Sequence, residues 1–238
     1  AFYSLILLSF STISLTAQNA FFTEDFNGGL PNDWSVVTTQ GNNTASADWV
    51  WTNFGPMGPL QSVIGVLQST TANNGWMVFD SDLNCSGRQE SWLVAPRQNA
   101  AGLPIVFLTF ETFYYSFNDR PTIEVSTDST NWTSIEVFPN IQANDFGGGS
   151  DNVNPQVVTI DLSDLVAGES TFWFAFRFRA DNTTLNGGDD SIIGCAYAWQ
   201  VDDDMLAASD IRSEDDLSVS NSLFTVAPSA LTPASRVL

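Results

Sequence analysis

Ile105-Val-Phe-Leu-Thr-Phe-Glu-Thr-Phe-Tyr-Tyr115 is β-branched and aromatic along its whole length and carries apolar residues at odd and even positions alike. A segment of that kind fits a central strand covered on both faces. Downstream, Thr171-Phe-Trp-Phe-Ala-Phe-Arg-Phe-Arg179 places Phe172, Phe174, Phe176 and Phe178 on one face and Trp173, Ala175, Arg177 and Arg179 on the other. That period of two defines a strand with one face in a core. Between them, Thr122–Ser126 and Thr133–Phe138 flank Thr127-Asp-Ser-Thr-Asn-Trp132, which reads as a hairpin with turn-forming residues at its tip. Trp76–Phe79, Val157–Ile160 and Ala196–Val201 add further strands, and only Leu162–Val166 reads as a turn of helix. The connections are rich in Gly and Asn, as surface loops of a sandwich are. The expected fold is all-β, a jelly-roll β-sandwich of two antiparallel sheets.

Composition narrows the function. The chain of 238 residues carries 27 acidic and 7 basic residues, a net charge of -20, and every base is Arg. Without His there is no Ser-His-Asp or Cys-His nucleophile system, and without Lys no Schiff base or Walker-type phosphate loop. Enzyme activity is therefore not expected. So acidic a surface repels phosphate backbones and anionic lipid heads, which argues against nucleic acid and membrane-surface partners. Divalent cations suit it well.

Residues 1–17 read as the apolar core and cleavage region of a signal peptide, with a cut between Ala17 and Gln18; the alternative is an apolar strand kept in the mature protein. Residues 18–207 form the expected domain. Residues 208–238 read as an acidic linker followed by the start of a C-terminal β segment. Cys85 and Cys195 form a disulfide or stay as two buried thiols; neither reading is preferred.

Three blocks carry a resemblance: Phe22-Thr-Glu-Asp-Phe-Asn-Gly-Gly-Leu-Pro-Asn-Asp-Trp34, the Ser-Thr-Asp hairpin ending at Trp132-Thr133, and Trp199-Gln-Val-Asp-Asp-Asp204. Their order and spacing resemble the cleaved-adhesin and choice-of-anchor J family, MAM-like jelly-roll modules of type IX-secreted bacterial surface proteins. The resemblance covers roughly residues 21–207. It implies a secreted or cell-surface binding module, and calcium held where the first and last strands meet. Matched residue by residue, the implied ligands are Glu24 and Asp202, with Asp203 weaker. The family pattern has a hydrophobic residue where Asp204 stands. Asp80 and Asp82, alternate residues after a strand, are further metal candidates; turn-capping is their other reading.

Trp49 and Trp51 alternate onto one face between flexible loops and are candidates for stacking on sugar rings; core packing is the competing role. Glu111 is expected to pair with Arg177 or Arg179 rather than to act as a catalytic acid. Ser129 and Ser191, each after an Asp, resemble O-glycan acceptors of such bacteria. The expected partner is a glycan or a protein at a cell surface or matrix. The competing functions are a filament or homo-oligomer subunit joined by strand addition through 1–17 and 217–238, and an accessory domain of a secreted hydrolase.

Overall fold

The computed structural model describes residues 19–40, 48–84, 88–117, 119–147, 153–180 and 196–209. The apolar segment 1–17, both cysteines, Ser191 and the stretch 210–238 lie outside the described residues.

Two antiparallel sheets face one another. The first holds β1 (Asn19–Glu24), β3 (Trp49–Thr52), β4 (Trp76–Asp80), β6 (Ile105–Tyr115), β9 (Gln156–Asp161) and β11 (Ala198–Ser209). The second holds β2 (Ser35–Gln40), β5 (Gln89–Val94), β7 (Thr122–Ser126), β8 (Thr133–Glu136) and β10 (Trp173–Ala180). The spatial orders are β3-β4-β11-β6-β9, with β1 also on β11, and β2-β5-β10-β7-β8. The chain crosses repeatedly between the sheets, as a jelly roll does. The expected hairpin is β7–β8, with Val125 opposite Thr133. The expected helical turn is Ser163–Val166, joined by short turns at Gln61–Ile64 and Ser81–Asn84. No helix among the described residues is long and apolar enough to cross a membrane.

Period-two alternation builds the core. Phe174, Phe176 and Phe178 of β10 meet Val106, Leu108 and Phe110 of β6, Met77 and Phe79 of β4, and Trp199, Val201 and Leu206 of β11. Phe79 stacks on Phe178 at 4.4 Å, and Phe110 meets Phe176 edge-on at 5.0 Å.

The outer face of the first sheet lies under a strap formed by residues 65–75. Gln200, fully buried on that face, anchors it. Its Oε1 accepts from the Leu67 N–H and the Trp76 indole, each at 3.1 Å, and its Nε2 donates to the Gly65 carbonyl at 3.1 Å. Gly75 ends the strap at φ +99, where a Cβ would sit 2.3 Å from the Trp51 ring. Only glycine fits there. Gln200→Ala strands two buried donors at once, so we expect it to cost about 2–3 kcal/mol and to raise amide exchange in 65–71 before the core opens. Hydrogen exchange resolved by residue checks this.

Candidate functional site

β11 runs twelve residues. Its first half pairs with β4 and β6, its second half with β1 and β6. The acid triplet falls where one neighbour gives way to the other. Asp202 stands opposite Glu111 and Met205 opposite Thr109, so Asp203 and Asp204 share the place facing Phe110. That is a β-bulge, and Asp203 takes its left-handed backbone at φ 51. The extra residue puts Asp204 in register with Glu24 of β1.

The result is an acidic junction short of partners. Asp202 and Asp204 are buried. Both carboxylate oxygens of Asp204, and Oδ1 of Asp202, are buried and have no hydrogen-bond partner among the described residues. Burial holds the Asp204 carboxyl well above the ordinary range, and the charges of Asp202, Glu24 and Asp203 push it further. Asp202 is pushed up to about 7, chiefly by burial and then against its hydrogen bond from Ser69 by the charge of Asp203. Glu24 is also raised by burial, while the Phe26 N–H at 2.8 Å on its Oε1 pulls the other way.

The strap closes over this junction with hydroxyls. Ser69 donates to Asp202 Oδ2, and Thr71 Oγ1 reaches Asp202 Oδ2 at 3.2 Å and Asp203 Oδ1 at 3.0 Å. The Thr71 N–H takes Asp203 Oδ2 at 3.1 Å, so both oxygens of Asp203 are engaged. Glu111 belongs to the same clamp, accepting from Thr70 N at 2.6 Å and Thr70 Oγ1 at 2.7 Å. The ion pair expected for Glu111 is therefore corrected: Glu111 faces out of the first sheet, and Arg177 and Arg179 lie on the far side of the sandwich. Arg177 instead pairs with Glu90 and Glu124, each at 3.1 Å.

An ionised carboxylate in Asp204's position is very costly unless a proton or a cation compensates it. Hard cations take several oxygens from carboxylates, carbonyls and water in flexible geometry, and the free oxygens of Asp204 and Asp202 beside Glu24 fit that chemistry. Among the described residues no three His, Cys, Asp or Glu side chains converge as a preformed cage. Backbone carbonyls and water would complete the shell. The sequence reading missed Asp204, because only the bulge turns the third acid of the run inward.

Asp80 and Asp82 stand elsewhere. Asp80 Oδ2 accepts from the Met57 N–H at 2.5 Å and the Gly58 N–H at 3.0 Å, and its Oδ1 from Leu83 at 3.2 Å. Asp82 Oδ2 accepts from Leu60 at 2.5 Å. Together they pin the 53–60 loop.

Trp49 and Trp51 do share a face, but it is the inner one, which corrects their assignment as a sugar platform. Trp49 is 3% exposed, with Trp199 at 5.3 Å and Phe79 at 6.0 Å. Trp51 packs against the same core and donates to the Phe26 carbonyl at 2.9 Å. Ser129 is exposed at the β7–β8 tip with φ 58.

No family model matches the sequence, and no curated protein matches it. Solved structures do. The chain is similar to the K3 cleaved adhesin domain of Lys-gingipain from Porphyromonas gingivalis, at 15% identity over 80% of this chain and 100% of that one, with a TM-score of 0.46. The K1 domain of the same protein matches at 17% identity over 79% and 98%, with a TM-score of 0.44. A xylan-binding domain from Paenibacillus barcinonensis matches at 12% identity over 80% and 100%, with a TM-score of 0.40. The cleaved adhesins that the sequence blocks resemble thus stand among the structural neighbours.

Proposed function

We propose that this chain is a non-catalytic adhesion or binding module of the cell exterior, whose sandwich is tied together by calcium bound at Glu24, Asp202 and Asp204. The observation that carries this reading is the set of buried, partnerless oxygens on Asp204 and Asp202. A cation there would cross-link the first and last strands and neutralise charges that otherwise oppose folding. Its role is structural: the bound ion keeps β1 and the strap in place and leaves the outer face of the second sheet for a glycan or protein partner. The absence of His and Lys from the whole sequence fits a module that binds without turning over its ligand.

Calorimetric titration of calcium into the chelator-stripped chain at pH 7.5 tests it. A saturable site is expected, weakened at least roughly tenfold by Glu24→Gln and by Asp204→Asn but not by Asp80→Asn, since one ligand lost from a charged shell removes more than about 1.4 kcal/mol. A wild-type chain that takes up no calcium, or an Asp204→Asn chain that binds it unchanged, overturns the assignment.

A further inference from the structure

The outer face of the second sheet carries a second constellation. On β5 and β10 the inward positions go to Ser91, Leu93, Phe174 and Phe176, so Trp92, Trp173, Ala175 and Arg177 point outward. Trp92 stands opposite Arg177, whose guanidinium lies 5.1 Å from the Trp92 ring centre. Trp132, just before β8, reaches back to meet Trp92 edge-on at 5.4 Å. β10 and β7 lie between β5 and β8, so the two indoles span the sheet, and Ala175 beneath them is fully buried. Trp92, Trp132 and Trp173 all stay partly exposed.

The polar groups among these rings are fixed. Arg177 is held through Nε by Glu90 and through Nη1 by Glu124. Glu124 is buried and also accepts from Thr122 at 2.7 Å and Ser134 at 2.6 Å, while the Trp92 indole donates to Glu90 at 3.0 Å. The turn that leads into Trp132 is fixed at Asp128, whose Oδ1 accepts from the Thr130 N–H at 2.8 Å and the Asn131 N–H at 2.7 Å. Among the described residues no partner meets the indole N–H of Trp132 or Trp173, or Nη2 of Arg177. The aromatic row on the other sheet differs. There Tyr115 stacks on Phe146 at 4.4 Å and on Tyr197 at 4.5 Å, so its faces are already covered.

We infer that this outer face binds a neutral glycan, with Trp132 and Trp173 as stacking platforms and Arg177 as a hydrogen-bond donor to ring hydroxyls. Partly open indoles suit the apolar face of a pyranose, and the unused N–H groups suit its hydroxyls. Charge gives an acidic sugar no advantage: Glu90 and Glu124 offset Arg177 and Arg179 on this face, and the chain carries a net charge of -20. Rigid support from the Asp128 turn and the Glu90–Arg177–Glu124 bridge lowers the cost of ordering the site. The inference rests on the binding-module reading above, and names its ligand class and face.

Affinity electrophoresis of the full chain in millimolar calcium, through gels holding xylan, galactan, β-mannan or polygalacturonate, tests it. Retardation by at least one neutral polysaccharide is expected, with none by polygalacturonate. Trp132→Ala and Trp173→Ala should each weaken it roughly tenfold with the melting temperature nearly unchanged, whereas Trp51→Phe should keep it. Three results overturn the inference: no retardation by any neutral polymer, retardation by polygalacturonate alone, or retardation indifferent to Trp132 and Trp173. A chain that binds calcium but no polysaccharide sinks this inference and leaves the cation reading standing; a chain that binds polysaccharide but takes up no calcium in the titration does the reverse.

Discussion

Removing calcium at pH 7.5 should lower the melting temperature by roughly 8–16 °C, and Asp204→Asn should shrink that difference by at least about a third. At a free ion concentration near a thousand times Kd, mass action contributes about 4 kcal/mol, and each kcal/mol moves a domain of this size by about 2–4 °C. The substitution separates the ion from the charge. In chelator, wild type must fold with Asp204 buried among Asp202, Glu24 and Asp203, whereas the amide carries no charge to desolvate. Asp204→Asn should therefore melt no lower than wild type in chelator, and below it in calcium. The pH dependence has a definite sign. Asp202 and Asp204 are raised in the folded state, so the folded form binds protons more tightly than the unfolded one. Stability of the stripped protein is fully present below the unfolded carboxylate value, about 3.9. It declines as pH rises through about 7, where Asp202 ionises. Calcium competes with those protons, so its effect should be largest above pH 7 and fade in acid. Melts in calcium and in chelator from pH 5 to pH 8 would measure both; a stripped protein that gains stability over that range contradicts the account.

The strands were legible because each carries its period on its surface. In β10 Phe174, Phe176 and Phe178 alternate with Trp173, Ala175, Arg177 and Arg179, and Phe172 continues the buried row just before the strand. The metal candidates were legible only by chemical type. Glu24 and Asp202 stand at one junction, but a run of three acids does not disclose which one turns inward. That depends on a bulge whose cause is tertiary: β11 changes neighbour from β4 to β1 midway along its length. The tryptophans failed for a related reason. Trp49-Val50-Trp51 looks like an open platform beside Gly- and Asn-rich loops, yet alternation alone does not say which of two faces is inward. Register decides, and Trp49 sits beside Phe79, a core residue of β4. Trp132 looked like the end of a turn, and its contact with Trp92 joins residues forty positions apart across two intervening strands. The clamp of Glu111 on Thr70 is equally remote, since it needs the 65–75 strap to lie over β6.

Trp49→Ala should cost about 3–5 kcal/mol, the range for deleting a large aromatic from a closed core, and so lower the melting temperature by roughly 6–20 °C. The ring is 3% exposed and joins both layers: it packs on Trp199 and Phe79 within the first sheet and on Phe176 of the second at 6.4 Å. Its indole donates at 3.2 Å to the Ser91 carbonyl of β5, so the same residue bonds one sheet to the other. A cavity at this point has no mobile neighbour to fill it, because the surrounding rings are themselves interlocked edge-to-face. Trp49→Phe should retain most of the packing and lose the cross-sheet bond, at about 1–2 kcal/mol. Urea melts followed by circular dichroism give both values, with an unchanged m-value marking a shift in stability alone. In conditions where Trp49→Ala remains folded, retardation by neutral polysaccharide should match wild type, since Trp49 faces away from the outer surface of the second sheet. A variant that melts like wild type but no longer binds sugar would return Trp49 to the ligand surface and overturn the division of labour between the two groups of tryptophans.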